Sequence, residues 1–197
     1  MHREEDESMA QYTERAIIQA FRETLEKKPF DKITVSAIVS KCGISSNTFY
    51  YHFQDIYALL DALLRSELEP FVTHSSGGWK TALKAMLRHF QENEAIVYHI
   101  FGSLSRDRLE RVIFDSSDSI FEHLVEDALR DTNLTAERRK DVSDFCRYSF
   151  LGFFLRFLWN RMSDDTDHLV DRLGDLVEEF IASVRQNDAA SRGGGSC

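Results

Sequence analysis

Proline is scarce in this chain of 197 residues, with only Pro29 and Pro70 present. Proline removes a backbone donor and clashes inside a helix, so its rarity leaves room for long uninterrupted helices. Cysteine is sparse too: Cys42, Cys146 and Cys197 are widely spaced. An odd number at such spacing makes neither a disulfide framework nor a CxxC metal pattern, and it fits a reducing, cytoplasmic setting. Long apolar runs are missing. The most apolar stretch, Tyr148–Trp159, contains Arg156 and falls well short of the ~20 residues that span a bilayer. The N-terminus reads Arg3-Glu4-Glu5-Asp6-Glu7 with no apolar core behind it, so no secretory signal and no membrane partner are expected. Glycine-rich phosphate loops and the HExxH pattern are absent, and no catalytic residue is expected. His123 with Glu126 and Asp165 with His168 have the spacing of metal sites in helical bundles. Charged helices produce that spacing by chance, so neither a metal nor a cofactor is expected.

What is present is an ordinary globular composition, 43% hydrophobic and 29% charged, which excludes wholesale disorder. The net charge of −9 would speak against a nucleic-acid partner if it were evenly spread. It is not. Between residues 27 and 53, Lys27, Lys28, Lys32 and Lys41 face Asp31 alone. Such an island is either a binding patch or chance clustering on a solvated face.

The periodicity is helical throughout, and no strand-like alternation stands out. Ile17, Phe21 and Leu25 make one apolar stripe over 11–28. Thr34 is placed to cap a short helix over 35–42, and Ser45 a second over 46–52. A longer helix over 55–72 carries Ile56, Leu59, Leu60, Leu63 and Leu64. His74-Ser75-Ser76-Gly77-Gly78 is the clearest linker-like stretch. Further helices follow, including one over 136–161 that is apolar nearly all round from 148 to 159. The expected organisation is a disordered leader at 1–10, a helix-turn-helix domain at 11–54, a helical regulatory and dimerisation domain at 55–186, and a flexible tail at 187–197.

The most informative stretch runs from Thr34 to Phe53. It reads as helix, glycine turn, helix. Gly43 supplies the positive φ that a tight turn after a helix demands, and Ile38, Val39, Ile44 and Phe49 can pack the two helices together. The second helix then presents Ser46, Asn47, Thr48, Tyr50, Tyr51 and His52. Small hydroxyl and amide groups followed by tyrosines suit a helix laid in a major groove. An ordinary helix pair with a polar face is the plainer alternative.

Residues Ile17 to Leu60 resemble the DNA-binding domain of the tetracycline-repressor (TetR/AcrR) family. The resemblance rests on Ile33-Thr34-Val35, Ile38, Gly43-Ile44-Ser45, Thr48-Phe49-Tyr50, His52-Phe53 and the leucines at 59 and 60. The segment around Asn47–Phe53, with Lys28–Val35 before it, is most similar to a branch that includes a co-activator linked to dihydroxyacetone-kinase operons. The resemblance implies an all-α homodimer: a three-helix reading head is joined by a long helix to a C-terminal ligand-binding and dimerisation domain. It implies double-stranded DNA with a palindromic operator as the partner, and most often repression. By position, Thr34, Ser36, Ser45, Ser46, Asn47, Thr48, Tyr50, Tyr51 and His52 are the expected DNA-contact residues. Two positions depart from the family: Asn47 stands where a small residue is usual, and Ile56 where a lysine often contacts a phosphate. Fewer phosphate contacts mean weaker binding and a shallower salt slope. A helical interaction protein or co-activator with weak DNA affinity is the alternative reading.

In the C-terminal part, aromatic density suggests a pocket for a small apolar or aromatic effector. Tyr98, Phe101, Phe121, Phe145, Cys146 and Tyr148 are the candidate lining. Phe150 and Phe154, with Leu169, Leu173, Leu176 and Phe180, are the candidate dimer interface. Gly152 suggests a close helix–helix approach. Both groups could instead complete a monomer core.

Overall fold

A computed structural model describes residues 2–73 and 78–193. Among these there are ten α-helices and one 3-10 turn, and no strand, so the chain is all-α as expected. Helix α1 (His2–Leu25) buries Ile17, Phe21 and Leu25 completely. It begins at His2, so the stretch expected to be a disordered leader is helical. After Pro29, a 3-10 turn (Phe30–Lys32) leads to Thr34, whose side chain accepts from the amide of Ala37 and caps α2 (Val35–Cys42). Gly43 closes α2 with φ 66°, and the amide of Ile44 returns to the carbonyl of Val39 at 3.2 Å. No atom lies within 4 Å of where a Cβ on Gly43 would sit, so the demand for glycine there is conformational rather than steric.

Helix α3 (Ser46–His52) follows, then α4 (Ile56–Thr73). One carboxylate oxygen of Asp55 caps α4, accepting from the amides of Tyr57 and Ala58 at 2.8 Å each. Pro70 is exposed within α4. The rest of the chain forms α5 (Gly78–Glu92), α6 (Glu94–Phe101), α7 (Arg106–Ser116), α8 (Asp118–Ala128), α9 (Ala136–Trp159) and α10 (Thr166–Gly193). Residues 74–77 of the expected linker and 194–197 of the expected tail lie outside the described residues; 187–193 continue α10.

The chain makes two compact units, and they do not divide it linearly. The first combines Met1–Pro70 with Glu92–Leu109, and the second combines Phe71–Gln91 with Glu110–Cys197. Helix α6 therefore belongs to the same unit as the N-terminal helices and packs on α1. Three polar contacts account for this. Arg22 donates to the Asn93 side chain at 2.8 Å, the His99 ring meets the carbonyl of Leu25 at 2.6 Å, and the Ser103 hydroxyl donates to Asp31 at 3.3 Å. None of these pairs is visible to a local reading, because each joins residues about seventy positions apart.

In the second unit, α8 packs along α9, and the buried side of α9 carries Val142, Cys146, Phe150, Phe154 and Phe157. Phe121, Phe150, Phe154 and Phe90 form a chain of rings with neighbouring centroids 5.5–5.8 Å apart. A ladder of ion pairs joins α5 to α10: Lys80 to Asp175 and Glu178, Lys84 to Asp171, and Arg88 to Asp167. At the far end of α9, Arg161 and Met162 have φ of 55° and 51°, in the left-handed region. Met162 is 3% exposed, and its carbonyl accepts from the Gln91 side chain at 2.6 Å.

One cation is buried in this unit. Arg147 is 6% exposed; its Nη1 pairs with Asp118 at 2.7 Å and Asp144 at 3.1 Å, and its Nη2 donates to the carbonyl of Phe114 at 2.8 Å. Its guanidinium also lies 3.6 Å from the centre of the Phe114 ring. A hydrogen bond from Lys140 holds the Asp144 carboxyl below its ordinary value, with further help from the charges of Lys140 and Arg147. That contribution to stability is present above the usual aspartate range and is lost as pH falls through the lowered folded value. Protonation would leave a buried guanidinium poorly compensated. Thermal stability should therefore decline as pH falls below about 4, and Asp144→Asn should flatten part of that dependence, measured by thermal melting across pH. Arg161→Gly relieves a left-handed residue and should raise the melting temperature by an amount equivalent to about 1 kcal/mol, measured by calorimetry.

Candidate nucleic-acid interface

The head is built on Ile38 and Phe49, both fully buried, with Phe53 beside them at 5% exposure. Phe49 anchors the inner side of α3, and its ring lies 5.8 Å from that of Phe53 and 5.4 Å from that of Tyr50. With that side inward, the opposite side must face solvent. Ser46 and Asn47 lie one turn before Tyr50 and Tyr51, so the four share one face of this seven-residue helix, and all four are exposed. Tyr50 is 57% and Tyr51 79% exposed, which is costly for large rings unless something covers them. His52 is half-buried, edge-on to the Tyr51 ring at 5.0 Å.

The hydroxyls divide into two groups. Ser45 accepts from the amide of Thr48 at 3.0 Å, and the two hydroxyls bond to each other at 2.8 Å. Thr34 is occupied in the same way, by the amide of Ala37 at 3.2 Å. These three fix the starts of α2 and α3. Ser36, Ser46 and Asn47 are exposed and free to meet an outside partner through their side chains.

Two of the four lysines of the basic island are paired, while Lys27 and Lys28 are exposed and carry no ion pair among the described residues. Lys41 pairs with Glu23 at 3.0 Å and Lys32 with Asp31 at 2.9 Å. Hydrogen bonds from Lys41 and then Gln19 hold the Glu23 carboxyl below its ordinary value, and a bond from Lys32 does the same for Asp31. Glu23 lies on α1, outside any window drawn around the island. A cation that the sequence did not single out stands nearby: the Arg108 guanidinium sits 4.1 Å from the centre of the Tyr57 ring, at the start of α4.

Of the six residues expected to line a pocket, two lie in the first unit and four in the second. Tyr98 and Phe101 lie on α6, in the first unit. Phe121 and Cys146 are buried in the second, and burial pushes the Cys146 thiol up to about 11. Phe145 and Tyr148 point the other way, at 54% and 63% exposure. An open cleft of about 230 Å³ in the second unit is lined by none of the six; its walls include Trp79, Leu124, Val177, Ile181 and Arg185. The polar groups that are buried without partners among the described residues are Ser143 Oγ and Arg147 Nε.

The residues expected at a dimer interface also separate. Phe150 and Phe154 are 7% and 3% exposed and belong to the core of the single chain, because α9 turns them toward α8 and Phe90. Leu176 is 65% exposed; Leu169, Leu173 and Phe180 are half-buried, and Phe180 meets the Phe145 ring at 4.5 Å. The outward face of α9 instead carries Phe145, Tyr148, Gly152 and Trp159, the last 72% exposed. Among the described residues, nothing lies within 4 Å of where a Cβ on Gly152 would sit.

Comparisons with known proteins agree with the head's geometry. A family profile described as bacterial regulatory proteins, tetR family, matches residues 17–63, and one described as transcriptional regulator C-terminal region matches residues 77–179. The chain is 29% identical over 115 residues to the HTH-type dhaKLM operon transcriptional activator DhaS of Lactococcus lactis, covering 52% of this chain and 62% of that protein. It is 30% identical over 94 residues to the HTH-type transcriptional regulator EthR of Mycolicibacterium smegmatis, covering 46% of this chain and 42% of that one. The matched part thus spans less than two thirds of either relative. Among solved structures, the dihydroxyacetone kinase operon activator DhaS superposes with a TM-score of 0.63 at 18% identity, covering 86% of this chain and 96% of that one. A TetR transcriptional regulator from Streptococcus agalactiae superposes with 0.60 at 19% identity, covering 88% and 97%. These two show a shared fold. With profiles matching both its N-terminal and its C-terminal parts, the chain belongs to the TetR family of transcriptional regulators, which are DNA-binding proteins and not enzymes.

Proposed function

We propose that this regulator binds a palindromic operator as a homodimer in the cytoplasm, represses by occupying it, and is released by a small-molecule effector bound in the C-terminal unit. The observation that carries the DNA reading is the exposed face of α3, where Ser46, Asn47, Tyr50 and Tyr51 stand together over a buried Phe49. In a major groove, Ser46 and Asn47 reach base edges, and the amide of Asn47 suits the paired donor and acceptor of adenine. Tyr50, Tyr51, His52 and Ser36 meet the backbone, while Thr34, Ser45 and Thr48 hold the helix ends.

The dimer reading is supported by the outward face of α9. Phe145, Tyr148 and Trp159 with Leu176 on α10 form an apolar surface that the single chain leaves uncovered, and Gly152 at its centre permits close approach of a second copy. The effector's class is apolar or aromatic, and its binding would change the separation of the two heads, coupling one site to the other.

A second reading, a co-activator with modest DNA affinity of its own, is favoured by the pairing of Lys32 and Lys41 with acids and by the activator role in the name of the DhaS relative.

Selection of random duplexes by the purified protein at about 100 mM salt, followed by sequencing, should enrich an inverted repeat with half-site centres about one helical turn apart. Asn47→Ala should cost about 1–3 kcal/mol and relax the preference at one position per half-site. An unenriched pool from folded, dimeric protein would sink the operator reading and leave the second. Ile56→Lys adds a cation at the start of α4 and should tighten duplex binding while steepening the salt slope by about 0.9 per head. Tyr148→Glu should shift sedimentation from dimer to monomer; a dimer that persists unchanged would exclude the α9 face.

A further inference from the structure

We infer that Arg108, from outside the helix-turn-helix segment, contacts a DNA backbone phosphate and so adds a positive charge to a reading head whose recognition helix exposes only uncharged residues. The inference rests on the DNA reading above. It starts from the charge pattern of the head. The exposed residues of α3 are uncharged, Lys41 is held by Glu23 at 3.0 Å, and Lys32 by Asp31 at 2.9 Å. Arg22 is likewise engaged, by Glu26 and Glu67 at 2.8 Å each. Asp55 adds a carboxylate at the start of α4. A polyanion would meet little attraction from these groups.

Arg108 differs from them in three respects. It belongs to the compact unit that contains the head, although α7 begins at Arg106. It is exposed, and no carboxylate pairs with it among the described residues. Its guanidinium is positioned by an aromatic platform, 4.1 Å from the centre of the Tyr57 ring. Tyr57 in turn meets the Phe30 ring at 5.2 Å, and Phe30 opens the 3-10 turn that leads directly into Thr34 and α2. The stack therefore stands beside the start of α4 and close to the start of α2.

The stack also suits the chemistry. A guanidinium lying on a ring uses its face and keeps its in-plane N–H donors available. Those donors form the planar fork that matches two phosphate oxygens. Holding the side chain on Tyr57 lowers the entropy lost when the contact forms. Sequence inspection passes over the residue because it lies more than fifty positions beyond the helix-turn-helix, amid other charged residues.

A phosphate contact is independent of base sequence, so a fluorescent random-sequence duplex of about 30 base pairs is a sufficient probe, titrated with full-length protein over a range of sodium chloride. Arg108→Gln should weaken binding about tenfold at low salt and make the plot of log K against log salt shallower by about 0.9 per head. Arg108→Lys should restore the slope, because it restores the charge. Thermal melting of both variants should match the wild type. Parallel salt plots for wild type and Arg108→Gln would overturn the inference, whether or not affinity falls, since a purely structural role changes affinity without releasing fewer ions. In that outcome the DNA reading stands. Absence of any salt-dependent binding by the wild type would overturn both. A shallower slope in Arg108→Gln from a protein that selects no inverted repeat would keep this contact and discard the operator.

Discussion

Burial of Phe49 is the constraint on which the head depends. The side chain is fully buried, and removing a buried phenylalanine typically costs about 3–5 kcal/mol. Because α3 has only seven residues, fixing one inward side chain fixes the whole rotation of the helix. Ser46, Asn47, Tyr50 and Tyr51 are then outward by geometry. Gly43 and the Ser45–Thr48 cap act on the same variable, since they set where the helix begins and at what angle the chain enters it. Recognition chemistry is thereby placed on a surface whose orientation is decided by packing on its other side.

Electrostatics follows a different logic. The chain carries −9 overall, and the lysines nearest the recognition helix are paired with acids of the same unit. On the proposed DNA reading, affinity on such a surface comes from neutral hydrogen bonds and aromatic contact with the backbone, and less from counterion release. This is why each remaining unpaired cation matters more than it would on a strongly basic head. It also accounts for the attraction of the co-activator reading, since a weak reader gains from a partner that supplies further contacts.

The second unit separates two kinds of apolar residue on a single helix. α9 is apolar over most of its later turns, yet Phe150 and Phe154 complete the chain's own core while Phe145, Tyr148 and Trp159 remain outside it. The buried Arg147, with its ion pairs to the more exposed Asp118 and Asp144, helps set that rotation, because a guanidinium inside the unit must keep its carboxylates and its ring contact. Helix α6 joins the first unit through Arg22, His99 and Ser103, so a segment of the C-terminal half of the sequence packs with the N-terminal helices.

The sequence by itself determined the helical class, the helix-turn-helix at 34–53 and the polar identity of its second helix. All of these are short-range matters: a left-handed glycine, a hydroxyl two or three residues before an unpaired amide, and apolar residues at helical spacing each act within one or two turns. It also determined that Ser45 and Thr48 would stand at the head of α3, though not that they would be spent on each other. Tertiary structure alone decided the rest. A helix that is apolar nearly all round has no preferred side, so which rings of α9 face inward depended on α8 and on Arg147. The pairing of Lys41 with Glu23, the docking of α6 on α1 and the seat of Arg108 on Tyr57 join residues distant in the chain, and the energy of a charge or a ring depends on what the fold brings next to it.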